Sequence, residues 1–432
     1  MNRLILLFCT IFLLNNCSFN ENSRIWKDKE PPLENKENVT KIFADEQNVS
    51  VELNPDISLD LRNIKLSNKI IDNQNNIGLL NYVGALQKIG NFKFSKLDNL
   101  DQFNLKPVFL NDGIIFFDNK GSILRFNDDQ KVIWKNNFYS KSEKKLKPKL
   151  NFALDNENLI VVDNIAKYFS INLNSGELNW IKNNSYPFNS DIKIFRDKFF
   201  AIDYKNTLRC FNINDGSECW NLQTEDSFTI SNSKFSLIIL DNKVIFNNSI
   251  GDITAVDIES GLIVWQLPTQ SSSIINETYN FKISKLVADG NSIFFSNNKN
   301  EFYSIDAKTG TINWINKINS NLTPILTSDL IFTVSNDGFL FTIQKNTGNI
   351  IRINDLYKTY KEKKRKDLKP VGFIIGNTNI YISNNDGKLI VADLTSGQVN
   401  LIEKISGDTI SEPFIFNQNL YIIKSGSIVK YN

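Results

Sequence analysis

Four cysteines, at positions 9, 17, 210 and 219, and no histidine limit the chemistry open to the side chains of this 432-residue chain. Without imidazole there is no Ser-His-Asp or Cys-His nucleophile, and no zinc site that needs a histidine ligand. General acid–base catalysis also loses its commonest group. Charge is close to balance, 49 Lys+Arg against 47 Asp+Glu, which excludes the strongly basic footprint of a nucleic-acid binder. The cysteines are few enough to be read one by one, and the surroundings of each decide its role.

Cys17 directly follows an apolar run, Leu4 to Leu14, headed by Arg3. At about 1.5 Å per residue such a run is too short to span a bilayer, so residues 1–16 read as a signal peptide. Leu14-Asn15-Asn16-Cys17 resembles a bacterial lipobox, in which the cysteine becomes the acylated first residue of the mature protein; Asn16 stands where a small residue is usual. Ser18 after the cysteine resembles lipoproteins sorted to the outer membrane. The expectation is a lipid anchor of palmitate-type chains on Cys17, with the protein facing the periplasm; plain secretion with an incidental Cys17 is the alternative. Cys9 leaves with the signal peptide. Cys210 and Cys219 flank one expected turn, where an oxidising periplasm could bridge them across a hairpin; otherwise they are small unpaired core residues.

Elements that would position these residues appear only later in the chain. Residues 17–60 are polar, broken by Pro31-Pro32 and Asn54-Pro55, and hold no apolar period, so they read as a tether. Residues 61–91 read as an irregular pre-repeat segment, and 92–432 as one repeating body. Gly176 precedes Trp180 by four residues, and the same spacing joins Gly216 to Trp220, Gly261 to Trp265 and Gly310 to Trp314. Trp134 is an earlier copy with Gln130 in the glycine's place; Gly348 with Arg352 and Gly397 with Leu401 are later, degenerate copies.

Each unit reads as four strands. In one, Phe281 to Val287 is the expected inner strand, Ile293 to Ser296 and Phe302 to Asp306 the middle pair, and Thr311 to Ile315 the outer one. Four antiparallel strands per 40–50 residues is the blade of a β-propeller. After Leu401 only three strands remain, Pro413 to Phe416, Leu420 to Lys424 and Ser427 to Tyr431, while Gly90 to Ser95 is an orphan strand upstream. Giving the orphan to the last blade makes eight blades and closes the ring. The repeat tryptophans suit the gap between adjacent sheets, where an indole buries roughly 200 Å²; stacking on a flat cofactor is the alternative.

The sequence Val256-Asp257-Ile258-Glu259-Ser260-Gly261, leading to Trp265, resembles the repeat of pyrroloquinoline-quinone-type propellers over about residues 92–432. One branch holds quinoprotein alcohol dehydrogenases, with adjacent cysteines and acidic calcium ligands in the channel; no two cysteines are adjacent here. The lipobox, tether and eight repeats are similar to the other branch, the BamB family of outer-membrane β-barrel assembly lipoproteins. That resemblance implies a non-catalytic scaffold without cofactor or metal, a monomer within a complex, that binds the periplasmic domains of a BamA-like barrel protein. It places a partner contact at Phe228 and Ile230, although Ser231 stands where the family has Arg, and the family's acidic pair falls near Asn280 and Lys282. Ordinary inner-strand core is the other reading of Phe228 and Ile230. A quinone- or metal-dependent enzyme and an envelope module for another partner are the rival functions. Two lysine-rich loops, 141–149 and 358–369, join an outer strand to the next inner strand and so share one rim, as solvated loops or as a surface for anionic lipid or an acidic partner.

Overall fold

Gly113–Phe117, Lys198–Ile202 and Phe339–Gln344 are near-continuous apolar runs, without the alternation of a strand that faces water on one side. The computed structural model, which describes residues 51–61, 66–67, 75–98, 105–225, 233–269 and 281–432, shows why: each lies mid-sheet with other sheets against both faces. Among the described residues there are eight four-stranded antiparallel sheets and one short two-stranded parallel pairing. Seven of the eight follow chain order from inner to outer strand. The third blade, for example, runs Lys193–Phe195, Lys198–Ile202, Thr207–Asn212 and Glu218–Gln223. Its outer strand alternates exposed and half-buried residues, as an edge strand should. The fold is all-β, an eight-bladed propeller.

The eighth blade joins the two ends of the repeat region. Phe414–Phe416, Asn419–Lys424 and Ser427–Tyr431 are completed by Lys88–Lys93, with Asn91 opposite Val429. Phe109 of the first blade's inner strand stacks on Phe416 of the eighth, ring centres 5.3 Å apart. The outer strand therefore starts two residues earlier than the expected Gly90 to Ser95. In the fifth blade the expected inner strand, Phe281 to Val287, is replaced by Val287–Asp289. The apolar residues ahead of it serve other contacts: Phe281 covers the turn at Gly251, and Ile283 bridges to Asn297.

Upstream residues are laced onto the blades. Leu53 exchanges backbone hydrogen bonds with Ile353 of the sixth blade's outer strand (3.1 and 2.9 Å), and Leu59 donates to Thr395 O at 3.1 Å. The tether expected over 17–60 is therefore docked over at least 53–59, because Leu53 adds to an open strand edge. Residues 75–87 cross the face that carries the first hairpin turns. Asn75 donates to Ile239 O at 2.6 Å in the fourth blade, Asn76 donates to Leu326 O at 3.0 Å in the sixth, and Gln87 meets Asn432 in the eighth. Leu80 and Tyr82 from this strap are fully buried between the seventh and eighth blades.

The turn between the second and third strands is closed the same way in five blades. A side-chain oxygen of Asp118, Asp163, Asp203, Asn248 or Asn297 accepts backbone N–H groups two and four residues on, at 2.8 to 3.2 Å. These are Asx-type turns, in which a short acceptor replaces a backbone carbonyl. At Asp163 the second oxygen also accepts from Tyr139 Oη at 2.5 Å. Burial pushes the Asp163 carboxyl up to about 6, against the opposing pull of Tyr139, the turn N–H groups and Lys167.

A carboxyl raised in the folded state above its unfolded value near 3.8 costs stability once ionised, so its contribution falls as pH climbs from about 4 to about 6. Asn already closes the equivalent turn in two blades. Asp163→Asn is accordingly expected to remove that loss and to raise stability at pH 7 by on the order of 2 kcal/mol. Urea denaturation at pH 3 and pH 7 measures it, with the variant's gain large at pH 7 and nearly absent at pH 3.

Candidate functional site

Every repeat tryptophan named from the sequence does the same work. Its indole N–H donates to a backbone carbonyl of the next blade: Trp134 to Leu173 at 3.2 Å, Trp180 to Ile213 and Trp220 to Ile258 at 2.9 Å, Trp265 to Ala307 at 3.1 Å, Trp314 to Lys345 at 3.2 Å. The ring lies on that blade's turn glycine. A Cβ on Gly176, Gly216, Gly261, Gly310 or Gly348 would stand 2.5 to 2.7 Å from its nearest neighbour, in four cases the tryptophan ring and at Gly176 Asn136, with the Trp134 ring also at 2.7 Å. All five glycines have φ between 67° and 75°, a region that a Cβ disfavours. Glycine is required twice over, by its own backbone and by the indole next door.

Three joints depart from this rule; at the one between the seventh and eighth blades Leu401 stands in the tryptophan's place and is 45% exposed. Arg352 occupies the tryptophan's position in the sixth blade, fully buried, and donates through Nη2 to Leu394 O at 3.4 Å. Its other amino group donates to Ile57 O at 2.8 Å and to Thr395 O, so the guanidinium both joins two blades and seats the upstream segment. Burial lowers its pKa to about 10, opposed by Asp393. At the joint between the eighth and first blades the partners are exchanged. Gly90 is the small residue, and Gln130, with φ 65°, is the large one, accepting from Asn91 N at 2.8 Å.

Cys210 faces the residue step Cys219-Trp220, where the strand pairing shifts by one. Both cysteines are free thiols in this structure, Cys210 buried and Cys219 exposed. Burial and a hydrogen bond with Cys219 raise the Cys210 thiol well above its ordinary range, so the two sulfurs are neighbours. Cys17, Phe228 and Ile230 lie outside the described residues.

Residues just ahead of the inner strands converge at the centre of the ring. Asp191, from the third blade, accepts from Lys234 Nζ at 2.5 Å and from Lys285 Nζ at 2.9 Å, with Lys106 Nζ at 3.8 Å. These lysines come from the fourth, fifth and first blades. Lys234 also donates to Asn151 Oδ1 of the second blade at 2.6 Å. Serine hydroxyls set the backbone here. Ser190, Ser284 and Ser411 each donate to the carbonyl of the next residue, Asp191, Lys285 and Glu412, and accept from the second strand's Ile202, Ser296 and Ile423. Burial would raise the Asp191 carboxyl, but three ammonium groups hold it well below the usual range. Burial lowers Lys285 to about 8 against the pull of Asp191. This convergence was missed in the sequence, since its members lie far apart and carry no shared motif beyond the serine before three of them.

The two basic loops lie on the rim at this same end. Each carries one helical turn, Glu143–Leu146 and Glu362–Arg365. Much of their charge is already matched: Lys147 to Asp98 at 2.5 Å, Lys358 to Glu52 and Arg365 to Asp355 at 2.9 Å, Lys364 to Asp386 at 3.2 Å. Lys141, Lys145, Lys361, Lys363 and Lys366 are exposed.

The family described as outer membrane protein assembly factor BamB matches residues 119–354, more than half of the chain. This chain belongs to the BamB family. Among solved structures it is similar to BamB from Moraxella catarrhalis, with TM-score 0.63 and 17% identity over 81% of this chain and 100% of that one. The same fold appears in the quinohemoprotein alcohol dehydrogenase from Comamonas testosteroni, with TM-score 0.61 and 10% identity over 82% of this chain and 78% of the enzyme. A europium-containing methanol dehydrogenase has TM-score 0.64 and 10% identity over 83% and 89%. No curated protein matches in sequence.

A cation of the kind named for the last of these does not fit the centre of this BamB-family ring. Asp191 is bonded to two ammonium groups and faces a third, and their field repels a multivalent cation. Among the described residues no three His, Cys, Asp or Glu side chains are grouped to hold a metal.

The latch geometry separates two substitutions of equal size. Gly216→Ala, with φ 67° and a Cβ 2.6 Å from the Trp180 ring, is expected to cost about 2–4 kcal/mol. Gly290→Ala, with φ 58° and nothing within 4 Å, should cost only about 1 kcal/mol. Chemical denaturation of the two variants tests this, and equal losses would show that the indole imposes nothing.

Proposed function

We propose that this protein is a non-catalytic, lipid-anchored scaffold of the outer-membrane β-barrel assembly machinery, fixed through Cys17 and docking the periplasmic domains of a BamA-type barrel protein. The observation that carries this reading is the BamB-family match across residues 119–354, on a ring of eight blades. Two further features support it. The centre of the ring carries a bonded lysine–carboxylate cluster, which disfavours the metal-dependent alternative. The outer strands offer rigid edges, and that of the fourth blade exposes Leu262, Ile263 and Val264 in succession. No helix among the described residues is long and apolar enough to cross a membrane.

On this reading the rim that carries loops 141–149 and 358–369, and the segment with Phe228 and Ile230, is the docking face. Affinity capture from solubilised outer membranes with the full chain should retain a BamA-type barrel protein. Phe228→Asp with Ile230→Asp should lower recovery at least tenfold while the thermal transition stays unchanged. Capture of a different envelope protein, without the barrel protein, would move the assignment to the third alternative, a binding module for another partner.

We also propose that Cys210 and Cys219 join in the oxidising periplasm, each thiol losing a proton and an electron to a disulfide donor that is reduced to its dithiol. Alkylation of protein isolated from the envelope under denaturing conditions should label neither cysteine before reduction and both after it. Full labelling without reduction would show that the thiols stay free.

A further inference from the structure

Glu52 to Asn54 run antiparallel to the sixth blade's outer strand, Ile350–Asp355, and that direction decides where the upstream chain joins the ring. Asn54 donates to Ile351 O at 3.1 Å, and Leu53 pairs with Ile353. Glu52 lies at the strand's far end, where it accepts from Asp355 N at 3.2 Å and from Lys358 Nζ at 2.9 Å. Lys358 opens the basic loop 358–369. The chain that comes from Cys17 therefore meets the ring beside this loop. Loop 141–149 lies elsewhere, between the first and second blades.

Within loop 358–369 the cations divide into two sets. Four hold the loop in place: Lys358 pairs with Glu52 and Arg365 with Asp355 at 2.9 Å, Lys364 pairs with Asp386 at 3.2 Å, and Lys369 faces Asp337 at 3.8 Å. Asn385 clamps the backbone, donating to Asp367 O and accepting from Lys369 N, both at 2.9 Å, and Leu368 is buried. In each pair the acid is the more buried member; Lys358 is 65% exposed and Glu52 23%. Positive charge thus faces outward, with its balancing charge beneath. The second set is Lys361, Lys363 and Lys366, all exposed and without an acidic partner among the described residues. Glu362 and Asp367 are the loop's own exposed acids.

We propose that loop 358–369 is a contact surface for an anionic phospholipid bilayer, met through Lys361, Lys363 and Lys366; this rests on the anchoring through Cys17 proposed above. Each lysine near such a surface strengthens binding roughly fivefold. Three together give only about a hundredfold, too little to hold a free protein, and their field fades within about 10 Å at 0.1 M salt. An anchor whose chain joins the ring at Glu52 supplies the rest, because it keeps this loop near the bilayer and makes the contact intramolecular. Loop 141–149 has no such leash, and an acidic protein partner would gain nothing from the neighbourhood of the anchor. Loop 141–149 and the segment with Phe228 and Ile230, which join other blades, stay open to the barrel protein.

Flotation of the full chain carrying Cys17→Ser, which removes the acyl site, tests the loop apart from the anchor. The vesicles are phosphatidylcholine alone, or phosphatidylcholine with about a third phosphatidylglycerol. Binding to the anionic vesicles is expected to exceed that to the neutral ones at least tenfold at about 0.1 M salt, and to fall to parity at about 1 M. Lys361→Gln with Lys363→Gln and Lys366→Gln should remove about nine-tenths of that excess or more. Lys361→Arg with Lys363→Arg and Lys366→Arg should keep it, since charge is what the bilayer reads. Lys141→Gln with Lys145→Gln should change it less than twofold. Equal binding to both vesicles, or an excess indifferent to the triple Gln variant, overturns the proposal. So does capture of an acidic envelope protein that the triple Gln variant loses, without any preference for anionic vesicles. The mass of the unaltered chain isolated from the envelope reads the anchor separately. Acyl chains without an anionic preference would sink only the loop, and an anionic preference without acyl chains only the anchor.

Discussion

The contact on which this structure depends is an indole laid on a glycine of the next blade. Each such joint combines one hydrogen bond, from the ring N–H to a carbonyl, with a flat surface that only a residue lacking Cβ can meet. Blades touch their neighbours mainly through buried faces of aliphatic and aromatic side chains. The indole fixes the angle and the height at which one sheet meets the next. It recurs at five of the eight joints, those that join the first six blades, from which the residues that meet at the centre come.

Much of this was legible in the sequence because both partners of the joint are rare residues at fixed spacing. Gly216 and Trp220 mark one repeat as Gly176 and Trp180 mark the one before, and the repeat anchors, with the orphan strand given to the last three, made eight blades. The exceptions were visible as gaps but not interpretable. Arg352 looked like a lost tryptophan; it is a donor that keeps the inter-blade hydrogen bond and gains a second set of carbonyls from residues 57 and 395. Gln130 looked like a lost glycine, yet its partner Gly90 is small instead, so size is conserved across the joint while the order is reversed. Phe281 misled the reading of the fifth blade because apolar character in a loop that covers a turn is indistinguishable, along one chain, from apolar character in a strand.

The ring centre was illegible for a different reason. Lys106, Asp191, Lys234 and Lys285 are each one charged residue ahead of a short inner strand, unremarkable singly. Only closure of the propeller brings four blades' worth of them within bonding distance. The serines that hold the neighbouring backbone could have served as a signal, since Ser190-Asp191, Ser284-Lys285 and Ser411-Glu412 share one position in their blades. Fold and chemistry thus have separate origins here. Large and small residues at the outer edge of each blade determine the ring, and charges at the inner edge are gathered by it.

The pairing of Lys88–Lys93 with Ser427–Tyr431 also orders events in time. The earlier of these segments leaves the ribosome more than three hundred residues before its partner exists, and its edge stays unpaired by that partner for as long. Final assembly must therefore await the last strands, and the ring cannot close until synthesis of the chain has reached them.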